Sequence, residues 1–145
     1  EISVCDWSSD VCSSDLDQIF LVLGGHIGGQ GYSVDRNDEG NQVHQMLADY
    51  QSRSKVGELA DPDSTYHRRP VTGDGWLRLL EFDLDSGSPR IHVRTYSTHF
   101  GKYSTQIPEY ASWYKRYEGQ AELSDEEFAK RDDFVIELTD FRSRF

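Results

Sequence analysis

The residues best placed for chemistry lie in the stretch Gln18-Ile19-Phe20-Leu21-Val22-Leu23-Gly24-Gly25-His26-Ile27-Gly28-Gly29-Gln30-Gly31. It holds one imidazole, His26, inside a loop with five glycines in eight residues. Imidazole nitrogen ligates borderline transition metals such as zinc, manganese or iron. Glycine lets the backbone approach an ion or phosphate with no Cβ in the way, and it admits positive φ. The five apolar residues Ile19 to Leu23 read as a short strand buried on both faces. In open α/β sheets ligands bind just beyond the carboxyl ends of strands, which is where His26 falls. The plainer reading of a lone histidine among glycines is a loop residue with no ligand role. The loop is neither a P-loop nor a dinucleotide fingerprint, since no Gly-Lys-Ser/Thr follows.

Other candidates carry less. Asp35-Arg36-Asn37-Asp38-Glu39-Gly40 opens like an EF-hand loop, but its twelfth position is Met46, where a bidentate Glu is required. His44 and His92 fall within strand patterns and are expected to be partly buried and hydrogen-bonded. His67 and His99 lie in loops. Asp74 is expected to shape a turn, and Asp61, Asp63, Asp83 and Asp85 read as ordinary turn carboxylates. Tyr110, Trp113, Tyr114 and Tyr117 could stack on a sugar or base, although a packed amphipathic helix is the commoner explanation.

The elements that position these residues follow from periodicity. Val43, Met46, Leu47 and Tyr50 fall at helical spacing, whereas a strand over Gln42 to Gln51 puts His44, Met46, Ala48 and Tyr50 on one face; periodicity slightly favours the helix. Ser52 to Thr72 is a long polar connection. Trp76 to Asp83 and Arg90 to Tyr96 flank the turn Asp85-Ser86-Gly87-Ser88-Pro89 and predict a β-hairpin. Pro108 stands in a first helical turn, with Ile107, Tyr110, Tyr114 and Tyr117 on one face. Ser124 and Glu127 form a capping box before Phe128. Phe134, Ile136 and Leu138 alternate as a closing strand.

Residues Glu1 to Leu16 back-translate onto a short-read sequencing adapter and are expected to be an artefact, leaving 17–145 as one unit with its true start missing. Both cysteines of the chain, Cys5 and Cys12, fall in that segment. Setting it aside removes four acidic and no basic residues, so the net charge of −11 becomes −7. An acidic unit argues against binding a nucleic-acid backbone by bulk charge, though a metal can supply positive charge locally for a phosphoester. No apolar run reaches the roughly twenty residues of a membrane span. Nothing in the sequence assigns a compartment or an oligomeric state.

Three blocks carry a resemblance: Phe20 to Gly28, Gly40 to Gln51 and Gly73 to Asp83. In order and spacing, with the hairpin ending Thr95-Tyr96-Ser97, they are similar to the C-terminal third of calcineurin-like metallophosphoesterases. The similarity covers Asp17 to Thr98, with a looser match over Asp132 to Phe141. The resemblance implies a β-rich α+β fold, the C-terminal part of a two-sheet sandwich flanked by helices, and makes Gln42 to Gln51 a strand. It implies two metal ions (manganese, iron or zinc) bridged by an aspartate and a solvent molecule, and a phosphoester substrate. The family's last ligand motif is Gly-His-x-His. Gly25-His26 matches its first half and makes His26 a metal ligand, while Gly28 stands where the second His belongs. The family's upstream Asp-x-His, Gly-Asp and Gly-Asn-His motifs are absent from this chain. It is therefore expected to be inactive alone, to contain no catalytic residue, and to expose sheet edges. A non-catalytic β-rich binding module, using the aromatic helix and the hairpin, is the alternative.

Overall fold

The computed structural model describes residues 17–55 and 73–145. The adapter-like segment, and the candidates Asp61, Asp63 and His67, lie outside the described residues.

Among the described residues seven strands form two sheets. In the first, β1 (Leu21–Gly24) runs parallel to β3 (Gln42–Asp49), and β2 (Gly29–Arg36) pairs antiparallel with β3 on its other side. The β2–β3 turn closes through Gly40 N–H donating to Asn37 O at 2.9 Å, and through Asn41 N–H donating to Asn37 Oδ1 at 2.9 Å. A side-chain oxygen thus substitutes for a backbone acceptor in the turn. This explains the polar run after Val34: Asp35 and Arg36 close β2, and Asn37 to Asn41 make the turn. In the second sheet β5 (Arg90–Ser97) is central, flanked by β4 (Trp76–Asp83) on one side and by β6 (Lys102–Tyr103) and β7 (Asp133–Glu137) on the other. The expected hairpin is present, in register from Trp76 opposite Ser97 to Asp83 opposite Arg90. Ile91, Val93, Thr95 and Ser97 are wholly buried, as the period of two demands for an inward face.

The sheets pack on each other through Met46 of β3 against Ile91, Val93 and Ile136, with Phe20, Leu21 and Leu80 around them. A second cluster, Tyr50, Trp76, Ile107, Tyr110, Tyr114 and Phe128, joins the sheets to the short helices α1 (Tyr110–Tyr114) and α2 (Asp125–Lys130), while Phe141 of α3 (Phe141–Arg144) packs on the first cluster. The arrangement is a β-rich α+β fold.

Local chemistry sets the helix limits. Ser124 accepts the Glu127 N–H and Glu127 accepts the Ser124 N–H at 2.9 Å, the reciprocal box expected from sequence. Helix α1 is shorter than its aromatic spacing predicts. The Tyr117 and Glu118 N–H groups both turn back to Tyr114 O, at 2.9 and 3.1 Å, and Gly119 takes φ 67°. Tyr117 therefore leaves the packed face and is exposed. At the C-terminus the buried Arg144 guanidinium donates to the carbonyls of Asp17, Ile19 and Gln42 at 2.7–2.9 Å, tying the entry of β1 to the start of β3.

One reading of the first sheet is corrected. The strand with both faces covered is β3, where Val43 to Leu47 are all buried; it is the middle strand of three. Only Leu21 to Leu23 of the greasy run lie in the strand, and Leu23 among them is 60 % exposed. Among the described residues strand β1 lies at an edge, with β3 as its partner on one side only. Composition alone does not separate these positions, because both strands are rich in large apolar residues.

Candidate functional site

The backbone leaves β1 at Gly24 and enters β2 at Gly29, so Gly29 and Gly31 belong to a strand and the loop shrinks to Gly25 to Gly28. This corrects the longer glycine loop read from sequence. His26 sits at its centre, exposed, with φ 76°, among the described residues the only non-glycine in the left-handed region. That conformation is costly for a residue with a Cβ and recurs where function constrains the backbone. A Cβ on Gly28, the position of the missing second histidine, would meet Ser52 Oγ at 3.2 Å. A small movement of one hydroxyl would admit a side chain there.

The donors for a metal are otherwise lacking: among the described residues no group of three or more His, Cys, Asp or Glu comes together. The described residues thus fit one ligand of a metal centre and do not by themselves make one. The remaining described histidines, His44, His92 and His99, stand as expected. His44 is buried on β3, with Nδ1 at 2.8 Å from Tyr32 Oη. Its burial lowers its pKa below the usual histidine value, outweighing the nearby Asp140 carboxylate, which works the other way. His92 Nε2 meets Asp133 at 3.1 Å. His99 is exposed and packs edge-on to Phe100.

Beside the β1 exit a cleft of about 430 Å³ opens between the sheets, lined by Leu23, Gly25 and Met46 on one side and by Leu77, Arg78 and Leu80 on the other. Tyr50 and Arg78 also line it, and both belong to a charged network. Asp132, wholly buried, accepts from Tyr50 Oη at 2.6 Å, Tyr110 Oη at 2.7 Å, Arg78 Nη2 at 2.7 Å and Arg53 Nη1 at 3.2 Å. Arg53 also holds both oxygens of Glu118 and lies 4.3 Å over the Tyr50 ring. Burial alone would raise the Asp132 pKa, but the two guanidiniums and the two phenol donors hold it below the usual carboxylate value. Burial, reinforced by that carboxylate, raises the Tyr50 and Tyr110 phenols. A carboxylate with four donors has no lone pair to spare as a base, so this network positions β3, β4 and α1 and leaves the chemistry to other groups.

Sequence reasoning missed Arg53, Arg78 and Asp132. One signal existed for Arg78, a cation between Trp76 and Leu80 in the inward register of β4. Arg53 and Asp132 lie in irregular segments with no periodicity to mark them. Asp74 is buried and accepts the Lys55 N–H at 2.6 Å and the Tyr114 hydroxyl, in keeping with a structural role. Asp83 accepts the Ser86 N–H and pairs with Arg90 at 3.2 Å, again a turn carboxylate. Tyr110 and Tyr114 are buried core residues, so the aromatic helix presents only part of its cluster for stacking. No helix of the described residues is long and apolar enough to cross a membrane.

Comparison with known proteins adds one relative. The chain is 33 % identical over 87 residues to the uncharacterized protein YvnB of Bacillus subtilis (strain 168), an alignment covering 56 % of this chain and 5 % of that protein. The chain thus spans a small fraction of the length of the relative it matches. No family model matches, and no solved structure matches.

Proposed function

We propose that this chain is the C-terminal part of a calcineurin-like metallophosphoesterase domain, whose complete form hydrolyses phosphomonoesters or diesters. The observation that carries the reading is His26: an exposed imidazole, in a left-handed backbone, at the carboxyl end of β1 within the Gly25-His26 match. The other two blocks of the resemblance fall on β3 and on β4 with its approach, and the two packed sheets agree with the sandwich the family would require. In that role His26 supplies one nitrogen to a metal and needs a partner for its other nitrogen. The bound metals would lower the pKa of a bridging water and clamp the phosphoryl oxygens. The remaining ligands come from residues outside those described. The exposed edge of β1 and the apolar mouth of the cleft also favour a covering segment from elsewhere in the protein.

The test is the complete reading frame. Its upstream portion should encode Asp-x-His, Gly-Asp and Gly-Asn-His motifs. The complete protein should hydrolyse p-nitrophenyl phosphate esters with manganese and stop with chelator. Activity indifferent to chelator, or unchanged in His26→Ala, would reject the proposal.

A further inference from the structure

A histidine that ligates a metal almost always donates its other ring N–H to a carboxylate, a backbone carbonyl or water, which fixes its tautomer and its aim. His26 is exposed on a short loop, and no hydrogen bond to another described residue holds its ring. The register of the first sheet shows which side chain is placed to do so. Strands β1 and β3 run parallel with Gly24 opposite Leu47, and continuing that register two residues on sets His26 level with Asp49. The loop then returns into β2 at Gly29, which is itself paired with Asp49. Asp49 therefore stands beside both legs of the loop, and it lines the cleft between the sheets together with Gly24 and Gly25.

Glu118 also borders the loop, since a Cβ on Gly29 would meet its Oε2 at 3.2 Å, but Arg53 holds both of its oxygens. Asp49 is committed differently. It is half-buried, and its Oδ1 accepts the Gln51 N–H at 3.2 Å, the two-residue bond of an Asx turn. That bond orients the carboxylate and leaves Oδ2 without a hydrogen-bond partner among the described residues. An ionised carboxylate has about four lone-pair sites, so Asp49 keeps capacity for an imidazole N–H where Glu118 does not.

We infer that Asp49 is a positioning residue for His26, its Oδ2 accepting from the ring nitrogen that does not face the metal. The inference rests on the phosphoesterase reading and deepens it by naming the partner that His26 requires. A carboxylate in that place selects one tautomer, restrains an otherwise unheld ring, and makes the imidazole a more basic ligand.

The test separates this role from the turn. Asp49→Asn keeps one oxygen for the Gln51 N–H but puts an amide donor in place of Oδ2, and a single oxygen cannot serve both the turn and the ring. The urea midpoint of the variant chain should match the wild type. In the complete protein, zinc affinity measured by calorimetry should fall roughly 10–100-fold, the usual cost of losing such a partner. With histidine nitrogens labelled, the zinc-loaded wild type should show a slowly exchanging His26 ring N–H that Asp49→Asn lacks. Loss of zinc in His26→Ala, with wild-type affinity and the same ring signal in Asp49→Asn, overturns this inference and leaves the phosphoesterase reading standing. Unchanged zinc affinity in His26→Ala overturns both. A midpoint that falls in Asp49→Asn while the ring signal persists assigns Asp49 to the turn alone and also overturns the inference.

Discussion

The loop at His26 and the network at Asp132 are opposite solutions to holding a polar side chain. Asp132 is wholly buried and grasped by two guanidiniums and two phenols from three segments of the chain. His26 is exposed, on a loop of a few residues, in a backbone conformation that its side chain does not favour. Under the proposed function, the contrast separates the group that holds the fold from the group that would meet a ligand. The network is over-determined, so the fold depends on it, and it has no capacity left for a ligand. The loop contributes little to the fold and keeps its imidazole free for one.

The largest effect that could break this comparison is at the network. Asp132→Ala takes from buried Arg78 its carboxylate and leaves Arg53 with Glu118 alone, and breaking a buried pair costs about 3–5 kcal/mol. Chemical denaturation should show that loss, and a cost near that of a surface change would mean the network is not the fold's anchor. Next is Gly75→Ala. Gly75 has φ 65°, and an added Cβ would collide with Thr98 Oγ1, so roughly 1–3 kcal/mol should be lost. Ser124→Ala removes one half of the α2 capping box and should cost about 1 kcal/mol, read from the same denaturation curves.

A smaller effect is expected from pH. His44 has its pKa lowered in the fold, chiefly by burial, so the unfolded chain takes up the proton first. The stability that neutral His44 contributes is complete above about pH 6.5, the unfolded value, and is lost as pH falls through the folded value. In denaturation midpoints taken from neutral to mildly acidic pH, His44→Gln should flatten that part of the decline. Equal slopes for both proteins would refute it. The smallest effect sharpens the comparison from the other side: His26→Ala should change stability by no more than about 0.5 kcal/mol, while in the complete, metal-loaded protein it should lower metal content.

Much of the local structure was legible in the sequence. The hairpin of β4 and β5 was marked by alternation around a glycine-containing turn, the α2 start by Ser124 and Glu127, and the last strand by Phe134, Ile136 and Leu138. These features depend on neighbours within a few residues, so the chain spells them out. The reading of Gln42 to Gln51 shows the limit. Periodicity leaned towards a helix because β3, buried on both faces, has no polar side to alternate with. Its strand state came from the family resemblance.

What the sequence by itself determined was the kind of element in most segments, the lone imidazole after a greasy run, and the acidic balance. Only the tertiary structure decided which strand is central and which is an edge. It also joined Arg53, Arg78 and Asp132, and set Gln30 against Gln120 across 90 positions of chain. The reason is physical. A strand's burial and a charge's partner are properties of what packs against them, and those neighbours are brought together by the sheet pairing rather than by their spacing along the chain.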